Sequence, residues 1–399
     1  MDYGRPIGVV ISVMLLVCVL SCSAPAGMPL ALSLSESLQS DTSPANDADD
    51  EFEAIRQAAD AYVNSGRPLT ISAQNVNDNI RAVNPLYVQL NGRLIPFELK
   101  YNDPLTFNRG PFIIDVRPVE AELRDPYSQG HIPGSLHVSW QQLTIFKNIK
   151  NMPRDRQVVI ASSTGEAGVQ VAAILNVMGY EAVALEWGMA SWAGATASPF
   201  SYEESRDTLS DWGAYYTSGS ADQPTETYDL PTVENTESND SAAITYAAAD
   251  AYLADRTRQF DMKASDLYQA LDFEPQTAAQ IFLSTFFTGS ATGNPYTRPF
   301  ILDIRDSAAF NGGHLIGALN VYLKDVFKTE SLEKLPPDRQ VLVYGDNGHE
   351  SSAVTALLNL LGYDARNLRW GTAADQFVPE RDCMNYQVVT GLNPFLCTS

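Results

Sequence analysis

Cysteine and histidine are both scarce in this chain, which has four residues of each among 399. Two cysteines lie near the N-terminus, Cys18 and Cys22, and two near the C-terminus, Cys383 and Cys397, so none falls within a repeated motif. The histidines show no spacing typical of zinc ligands. We therefore expect no metal site, and nothing in the sequence indicates a cofactor.

Basic residues are also few, with 26 Lys and Arg against 48 Asp and Glu. The formal net charge is -22 at pH 7 and the isoelectric point is about 4.4. Such a charge repels polyanions, which argues against nucleic acid or an anionic lipid surface as a partner. It also opposes the binding of small anions unless a local basic pocket exists.

The N-terminus lacks a hydrophobic run long enough to span a membrane. Arg5 precedes an uncharged run of 13 residues, Gly8–Leu20, whereas a spanning helix needs about 20. This pattern predicts an export signal over residues 1–22. Val19–Cys22 resembles the cleavage box of bacterial lipoproteins, which predicts lipidation of Cys22 and an extracytoplasmic, membrane-anchored protein. Cleavage after Ala26 with secretion, and a retained signal anchor, are the alternatives.

Composition divides the rest of the chain. Residues 23–50 are small, polar and acidic without periodicity, which indicates a flexible tether. Residues 51–216 form a first predicted domain, residues 217–242 an acidic Ser/Thr/Pro linker, and residues 243–399 a second predicted domain.

The two domains repeat one another. The spacing of about 183 residues is domain-sized and far exceeds the 20–50 residues of solenoid repeats. The repeated motifs are Pro111–Arg117 with Pro299–Arg305, Gly130–Val138 with Gly313–Val321, Met152–Ile160 with Leu335–Val343, and Met178–Gly188 with Leu361–Gly371.

Short apolar segments alternate with helical patterns in each copy. Pro111–Arg117, Gln157–Ala161 and Ala182–Leu185 are predicted strands. Gly168–Met178 is a predicted amphipathic helix, with apolar residues at positions i, i+3, i+4 and i+7 from Val171. The order indicates an α/β fold with a parallel sheet in each copy.

A strand that runs through a tight loop into a helix directs backbone N–H groups at one small volume, which suits an anion. Each copy has such a loop, and neither contains cysteine or lysine. We call them the first and second loops: Ser162, Ser163, Thr164, Gly165, Glu166, Ala167, and Gly345, Asp346, Asn347, Gly348, His349, Glu350.

The chain resembles tandem rhodanese-like proteins at several motifs. They are Asp115–Arg117, Gly130–Gly134 and Glu186–Trp192 in the first copy, and Asp303–Arg305, Gly313–Ala318 and Trp370–Gly371 in the second. The resemblance implies two rhodanese-like domains, each a parallel sheet flanked by helices. It also implies sulfurtransfer through a loop cysteine that carries sulfur as a persulfide. Ser162 and Gly345 occupy that position here, and neither side chain can hold a persulfide.

The charges of the loops agree with this departure. The resemblance implies Arg or Lys in an active loop, whereas this chain has Glu166, Asp346 and Glu350. A carboxylate near a bound anion opposes its binding. We therefore expect both copies to be inactive, and expect a binding or scaffold protein with an unknown protein or small-molecule partner. A sulfurtransferase using Cys383 or Cys397, and an envelope-sensing or adhesion protein with an exposed aromatic patch, are the alternatives.

Other polar and aromatic residues have structural interpretations. We expect structural ion pairing, or hydrogen bonding with neighbouring loops, for the strand-end residues Asp115, Arg117, Asp303 and Arg305. We also expect a structural hydrogen bond at His131 rather than a base for Ser162. We expect core packing for Trp187, Trp192 and Trp370. His349–Glu350 is expected to form a solvated helix N-terminus, and a polar-ligand site is the alternative. Cys383 and Cys397 are expected to form a disulfide, and two free thiols are the alternative.

Overall fold

The computed structural model describes most of the two repeats. The described residues are 48–83, 87–90, 93–96, 111–117, 126–143, 152–193, 216–220, 223–233, 236, 238–254, 261–263, 266–267, 270, 298–372, 383–386 and 388. All of them belong to one compact unit, Ala45–Ser399. The predicted export signal, the lipidation site Cys22 and the predicted disulfide partner Cys397 lie outside the described residues. Within the described part of the chain, every helix is too short or too polar to cross a bilayer.

The first half alternates short strands with helices, as the sequence predicted. Its elements are α1 (Ala48–Val63), β1 (Thr70–Ile71), α2 (Ala73–Val83), β2 (Tyr87–Leu90), β3 (Arg93–Pro96), β4 (Phe112–Asp115), α3 (Pro126–Gln129), β5 (Leu136–His137), α4 (Trp140–Leu143), β6 (Val158–Ala161), α5 (Glu166–Val177), β7 (Ala182–Leu185) and α6 (Gly188–Ala193).

Five of these strands form a parallel sheet in the order β1-β7-β6-β4-β5. The central strands β6 and β7 are buried along their whole length, as expected of a parallel sheet covered on both faces. The predicted strands β4, β6 and β7 are confirmed. The edge strand β1 has two residues, too few for a periodic pattern to reveal.

The second half repeats the arrangement. Its elements are β8 (Tyr216–Thr217), α7 (Ser241–Ala254), β9 (Asp261–Met262), β10 (Phe300–Asp303), α8 (Ser307–Gly312), β11 (His314–Leu315), β12 (Leu319–Asn320), α9 (Thr329–Leu332), β13 (Val341–Tyr344), α10 (His349–Leu360) and β14 (Ala365–Leu368). The parallel sheet has the order β9-β14-β13-β10-β12, which matches the first sheet strand for strand.

The two halves share a large cluster of buried apolar side chains, and each half has a further cluster of its own. Helices α5 and α10 pack against each other, and α1 packs against α7. One cluster of buried side chains therefore contains residues of both halves, including Ile174, Leu175, Leu357 and Leu358. Helix α5 is buried on nearly every side rather than on the single face that its spacing predicted, because its own sheet covers one side and the second half covers the other.

Segments outside the two sheets make further contacts. Strand β8, at the boundary between the first predicted domain and the linker, pairs antiparallel with β11, and the backbone N–H of Tyr228 in the linker donates to the carbonyl of Glu333 (2.6 Å). Near the C-terminus, the N–H of Met384 donates to Ser191 (2.9 Å) and that of Tyr386 to Trp192 (2.8 Å). The chain that follows the second sheet thus returns to helix α6 of the first half.

Candidate functional site

The first loop lies between the end of β6 and the start of α5. The hydroxyl oxygen of Ser162 accepts hydrogen bonds from the backbone N–H groups of Gly165 (3.0 Å) and Gly168 (3.2 Å). Ser162 is buried. The serine hydroxyl therefore accepts hydrogen bonds from N–H groups that were expected to bind an anion.

The second loop has the same backbone plan without a side chain at its first position. Gly345 follows β13, and Gly348 adopts a left-handed conformation (φ 82°) immediately before α10. The side-chain oxygen of Asn347 accepts from the N–H of His349 (3.1 Å). Loop geometry is therefore preserved although position 345 carries no functional group.

Glu166, the first residue of α5, does not point into its own loop. Its Oε1 accepts hydrogen bonds from the backbone N–H of Trp370 (2.8 Å) and from Nδ2 of Asn367 (3.0 Å), both in the second half. A Cβ added at Gly348 would lie 2.3 Å from this oxygen. The carboxyl group of the first half thus fills space beside the second loop.

His349, the first residue of α10, makes the reciprocal contact. A Cβ added at Gly165 would lie 2.9 Å from Nε2 of His349, and the imidazole ring is 4.6 Å from the ring of Trp187. The expectation of a solvated helix N-terminus was wrong for His349, which is only 3% exposed, because the first half covers it. Glu350, the next residue, is exposed.

Burial changes the protonation of both residues. Burial, assisted by the negative charge of Asp261, raises the pKa of Glu166 to about 8, although hydrogen bonds from Trp370 and Asn367 and the charge of Arg369 oppose the rise. Burial lowers the pKa of His349 to about 4, against a hydrogen bond with the backbone of Thr164. At pH 7 Glu166 is therefore mainly protonated and His349 neutral. Glu166 Oε2 and His349 Nε2 have no hydrogen-bond partner.

The two tryptophans of the repeated Trp-Gly motif meet between the loops. Trp187 and Trp370 have positive φ angles of 56° and 67°, and their rings stack at 5.8 Å. Each is followed by a glycine because the backbone turns back onto a loop: a Cβ at Gly188 would lie 2.3 Å from the carbonyl oxygen of Ser162. Trp370 is buried as predicted, while Trp187 is half-buried.

The structural role predicted for Asp115, Arg117, Asp303 and Arg305 is confirmed. Arg117 and Asp115 pair at 2.6 Å, and Arg305 and Asp303 also pair at 2.6 Å. Each arginine further donates to the carbonyl of the glycine that opens the Gly-His motif, at 2.7 Å for Gly130 and 2.8 Å in the second copy. These side chains fasten strand ends to a turn.

Both histidines of the first half form hydrogen bonds with backbone carbonyls near the ion pair of that half. A ring nitrogen of His131 lies 2.9 Å from the carbonyl of Tyr127, and the ring stacks on that tyrosine at 3.7 Å. His137 lies 2.9 Å from the carbonyl of Arg117. The structural hydrogen bond expected of His131 is confirmed, and the hydroxyl of Ser162 contacts two backbone N–H groups instead.

The remaining loop residues contact backbone or solvent. The carbonyl of Ser163 accepts from Ala190 (3.2 Å), Ala167 is half-buried, and Asp346 is exposed. Among the described residues no three His, Cys, Asp or Glu side chains are grouped as metal ligands would be.

Cys383 is half-buried, and its thiol donates to Oδ1 of Asn385 (3.3 Å). Its predicted disulfide partner, Cys397, lies outside the described residues, so that disulfide stays a prediction.

Three polar residues of this site escaped the sequence analysis. Asn367 stands in strand β14 at the position of Ala184 in the first copy, and a polar residue where the repeat has an apolar one was an available signal. Asp261 and Arg369 pair at 2.7 Å beside it. Asp261 belongs to the two-residue strand β9, which carries no periodic pattern.

Comparisons with known proteins agree with the fold. The family described as rhodanese-like domain matches residues 101–195 and 291–376. No curated protein matches the chain.

Solved structures similar to this chain include three proteins at low identity. The first is a thiosulfate sulfurtransferase from Pseudomonas aeruginosa, with 13% identity, covering 86% of this chain and 49% of that chain, at a TM-score of 0.25. The second is the 3-mercaptopyruvate sulfotransferase SseA from Escherichia coli, with 16% identity, covering 76% of this chain and 100% of that chain, at a TM-score of 0.24. The third is SSP1007 from Staphylococcus saprophyticus, with 21% identity, covering 30% of this chain and 88% of that chain, at a TM-score of 0.20.

The duplicated sheet order, the repeated motifs and the two family matches agree with one another. The chain therefore contains two rhodanese-like domains in tandem, each an α/β fold with a five-stranded parallel sheet flanked by helices.

Proposed function

We propose that this chain is a tandem rhodanese-like protein that transfers no sulfur and acts as a binding or scaffold module. In this proposal it is exported and held outside the cytoplasmic membrane by a lipid on Cys22. The observation that carries the proposal is the closure of both loops by the chain's own side chains, Ser162 and Glu166 from the first half and His349 from the second.

The first support is chemical. A persulfide forms when a thiolate attacks sulfane sulfur, and it needs a polarizable sulfur atom at the mouth of the loop. Ser162 supplies an oxygen that accepts hydrogen bonds from two backbone N–H groups, and Gly345 supplies no side chain. Neither loop offers a nucleophile that can carry sulfur.

The second support is that the Glu166 carboxyl group blocks the second loop by its volume rather than by its charge. Glu166 is mainly protonated at pH 7 because its pKa is raised to about 8 by burial, so its charge contributes less repulsion than an ordinary glutamate would. The carboxyl group instead occupies space and accepts from the N–H of Trp370. An anion entering the second loop must displace it.

The alternative, a sulfurtransferase that uses another cysteine, has one observation in its favour. The residue after Cys383 donates its backbone N–H to Ser191 of helix α6, and the N–H of Met189 in that helix donates to the carbonyl of Ser162 (2.7 Å). The tail cysteine is therefore joined to the first loop through one short helix.

The adhesion alternative gains less. Among the described residues the exposed large apolar side chains include two aromatic ones, Tyr216 and Tyr322. Nothing in their contacts favours a particular surface or partner.

A thiosulfate:cyanide sulfurtransferase assay tests the proposal. The purified full chain is compared with its Cys383→Ser and Cys397→Ser variants, and a known sulfurtransferase serves as the positive control. We expect no thiocyanate above the uncatalysed rate from any form of this chain. Turnover by the unaltered chain would contradict the proposal, and its loss in Cys383→Ser would identify the tail cysteine as the nucleophile.

A further inference from the structure

A second site lies away from the loops, at the junction of helices α1 and α7 with the linker. The structure has a cavity of about 470 Å³ there, within the range of small-molecule sites. Exposed Ala251 lies among its lining residues, so the cavity opens to solvent. The main lining residues are Glu51, Ile55, Val233, Ile244, Ala248 and Leu360.

Glu51 supplies the charged group of this cavity. Its Oε1 accepts hydrogen bonds from the backbone N–H (2.6 Å) and the hydroxyl (2.9 Å) of Thr236. Its Oε2 is buried without a hydrogen-bond partner, and the residue as a whole is 0% exposed. A buried carboxyl oxygen without a partner is unfavourable, and a donor that reaches it gains a strong hydrogen bond.

The rest of the lining selects among donors. None of the described residues that line the cavity is a lysine, arginine or histidine, so they offer Oε2 no cationic partner. Helix α7 contributes small alanines and Ile244, and helix α1 contributes Ile55. The cavity also has polar lining residues, but the Tyr252 hydroxyl donates to Gln170 (3.1 Å) and the side-chain amide of Asn359 donates to two backbone carbonyls (both 2.8 Å). The aliphatic walls favour an apolar body and offer nothing to a second charge.

We infer that this cavity binds a small organic monocation, a primary ammonium group carried on an apolar body. The ammonium donates to Oε2 of Glu51, and the apolar body lies against Ile55, Ile244 and Leu360. Glu51 is the one acidic side chain among the described lining residues, so the cavity suits a monocation better than a polyamine. Its negative charge repels a carboxylate of similar size.

This inference goes beyond the proposed function and does not depend on it. The cavity is lined by α1, α7, the linker and the end of α10, and none of its lining residues belongs to the first or second loop. A chain with or without sulfurtransferase activity would retain it.

Calorimetric titration of the purified full chain with hexylammonium tests the inference, with hexanol and hexanoate as matched probes. We expect saturable binding of hexylammonium at least about tenfold tighter than that of hexanol, as one hydrogen bond to a charged group allows, and no binding of hexanoate. Equal binding of hexylammonium and hexanol, or no saturable binding of hexylammonium, would overturn it.

Three variants locate the binding. Glu51→Gln keeps an acceptor for Thr236 but removes the negative charge, so hexylammonium affinity falls at least about tenfold. Asp50→Asn makes the same charge change at the neighbouring exposed residue, and affinity stays unchanged. Ala248→Leu fills the cavity from α7 and abolishes binding while Glu51 is retained. Undiminished binding in both Glu51→Gln and Ala248→Leu would overturn the inference, and the comparison of probes on the unaltered chain decides it if a variant fails to fold.

Discussion

Glu166 and His349 hold equivalent positions in the two halves, and each is buried against the loop of the other half. Each follows a glycine of positive φ and begins the helix after the loop. Glu166 lies beside Gly348, and His349 lies beside Gly165. The two copies therefore differ at this position, where the first has an acid and the second has a base. Burial keeps both side chains mainly neutral at pH 7.

Replacing Glu166 tests its protonation. Its folded pKa is about 8 and its ordinary value 4.5, so the folded chain holds a proton that the unfolded chain releases. Stability from this group is full below about pH 4.5 and is lost as the pH rises to about 8, by at most about 1.4 kcal/mol per pH unit. We expect the free energy of unfolding, relative to that of Glu166→Gln, to fall over this range in urea titrations.

The matched control is Glu181→Gln, which changes an exposed glutamate of the first half. Its free energy of unfolding should run parallel to that of the unaltered chain across the same pH range. A parallel curve for Glu166→Gln as well would show that Glu166 ionises alike in both states.

For His349 we expect the opposite pH dependence of the free energy of unfolding. Its pKa is lowered to about 4 from 6.5 by burial, so the unfolded chain takes up a proton that the folded chain excludes. Stability from this group is full above about pH 6.5 and is lost as the pH falls to about 4. Relative to His349→Gln, the free energy of unfolding of the unaltered chain should decrease with acidification, and an unchanged difference would contradict the burial of the ring.

Removing the hydroxyl of Ser162 should destabilise the chain. Ser162→Ala leaves the buried N–H groups of Gly165 and Gly168 without their acceptor, which costs about 1–3 kcal/mol. Ser163→Ala, at a half-buried neighbour, should change stability by much less. Chemical denaturation measures both, and equal effects would mean that the Ser162 hydroxyl does not hold the loop.

The shared core predicts that the two halves unfold together. Leu357 is fully buried in the cluster common to both halves, and Leu357→Ala should cost about 2–5 kcal/mol. Hydrogen exchange should show faster opening of β6 in the first half as well as β13 in the second. Acceleration confined to the second half would show that the halves are independent.

Much of this fold could be predicted from the sequence, because its strongest signals are local. The buried strands β4, β6 and β7 are continuous apolar runs, and the repeated motifs identified the duplication. The structural role of Asp115 and Arg117 was predicted from their position at the end of a strand. Such features need no knowledge of the other half.

The contacts between the halves could not be predicted, because they join residues about 200 positions apart. The sequence placed Glu166 in a loop but could not show that its carboxyl group reaches Trp370. It placed His349 at a helix N-terminus, and solvation was wrong because the first half covers that end. The cavity at Glu51 likewise needs α1, α7 and the linker together.

The predicted lipid anchor has a direct test. Cys22→Ala removes the residue that the lipoprotein box would modify, so the protein should move from the membrane fraction to the soluble extracytoplasmic fraction or remain unprocessed. Cys18→Ala is the matched control in the same segment and should stay membrane-bound. Unchanged processing and membrane association of Cys22→Ala would contradict lipidation.

The central claim is that this chain carries and transfers no sulfur, and intact-mass spectrometry tests it most directly. The full chain is incubated with thiosulfate, separated from it and weighed before and after reduction. The account predicts an unchanged mass, because Ser162 and Gly345 cannot form a persulfide. A reducible gain of one sulfur atom on the chain would contradict it, and peptide mapping would name the residue that carries the sulfur.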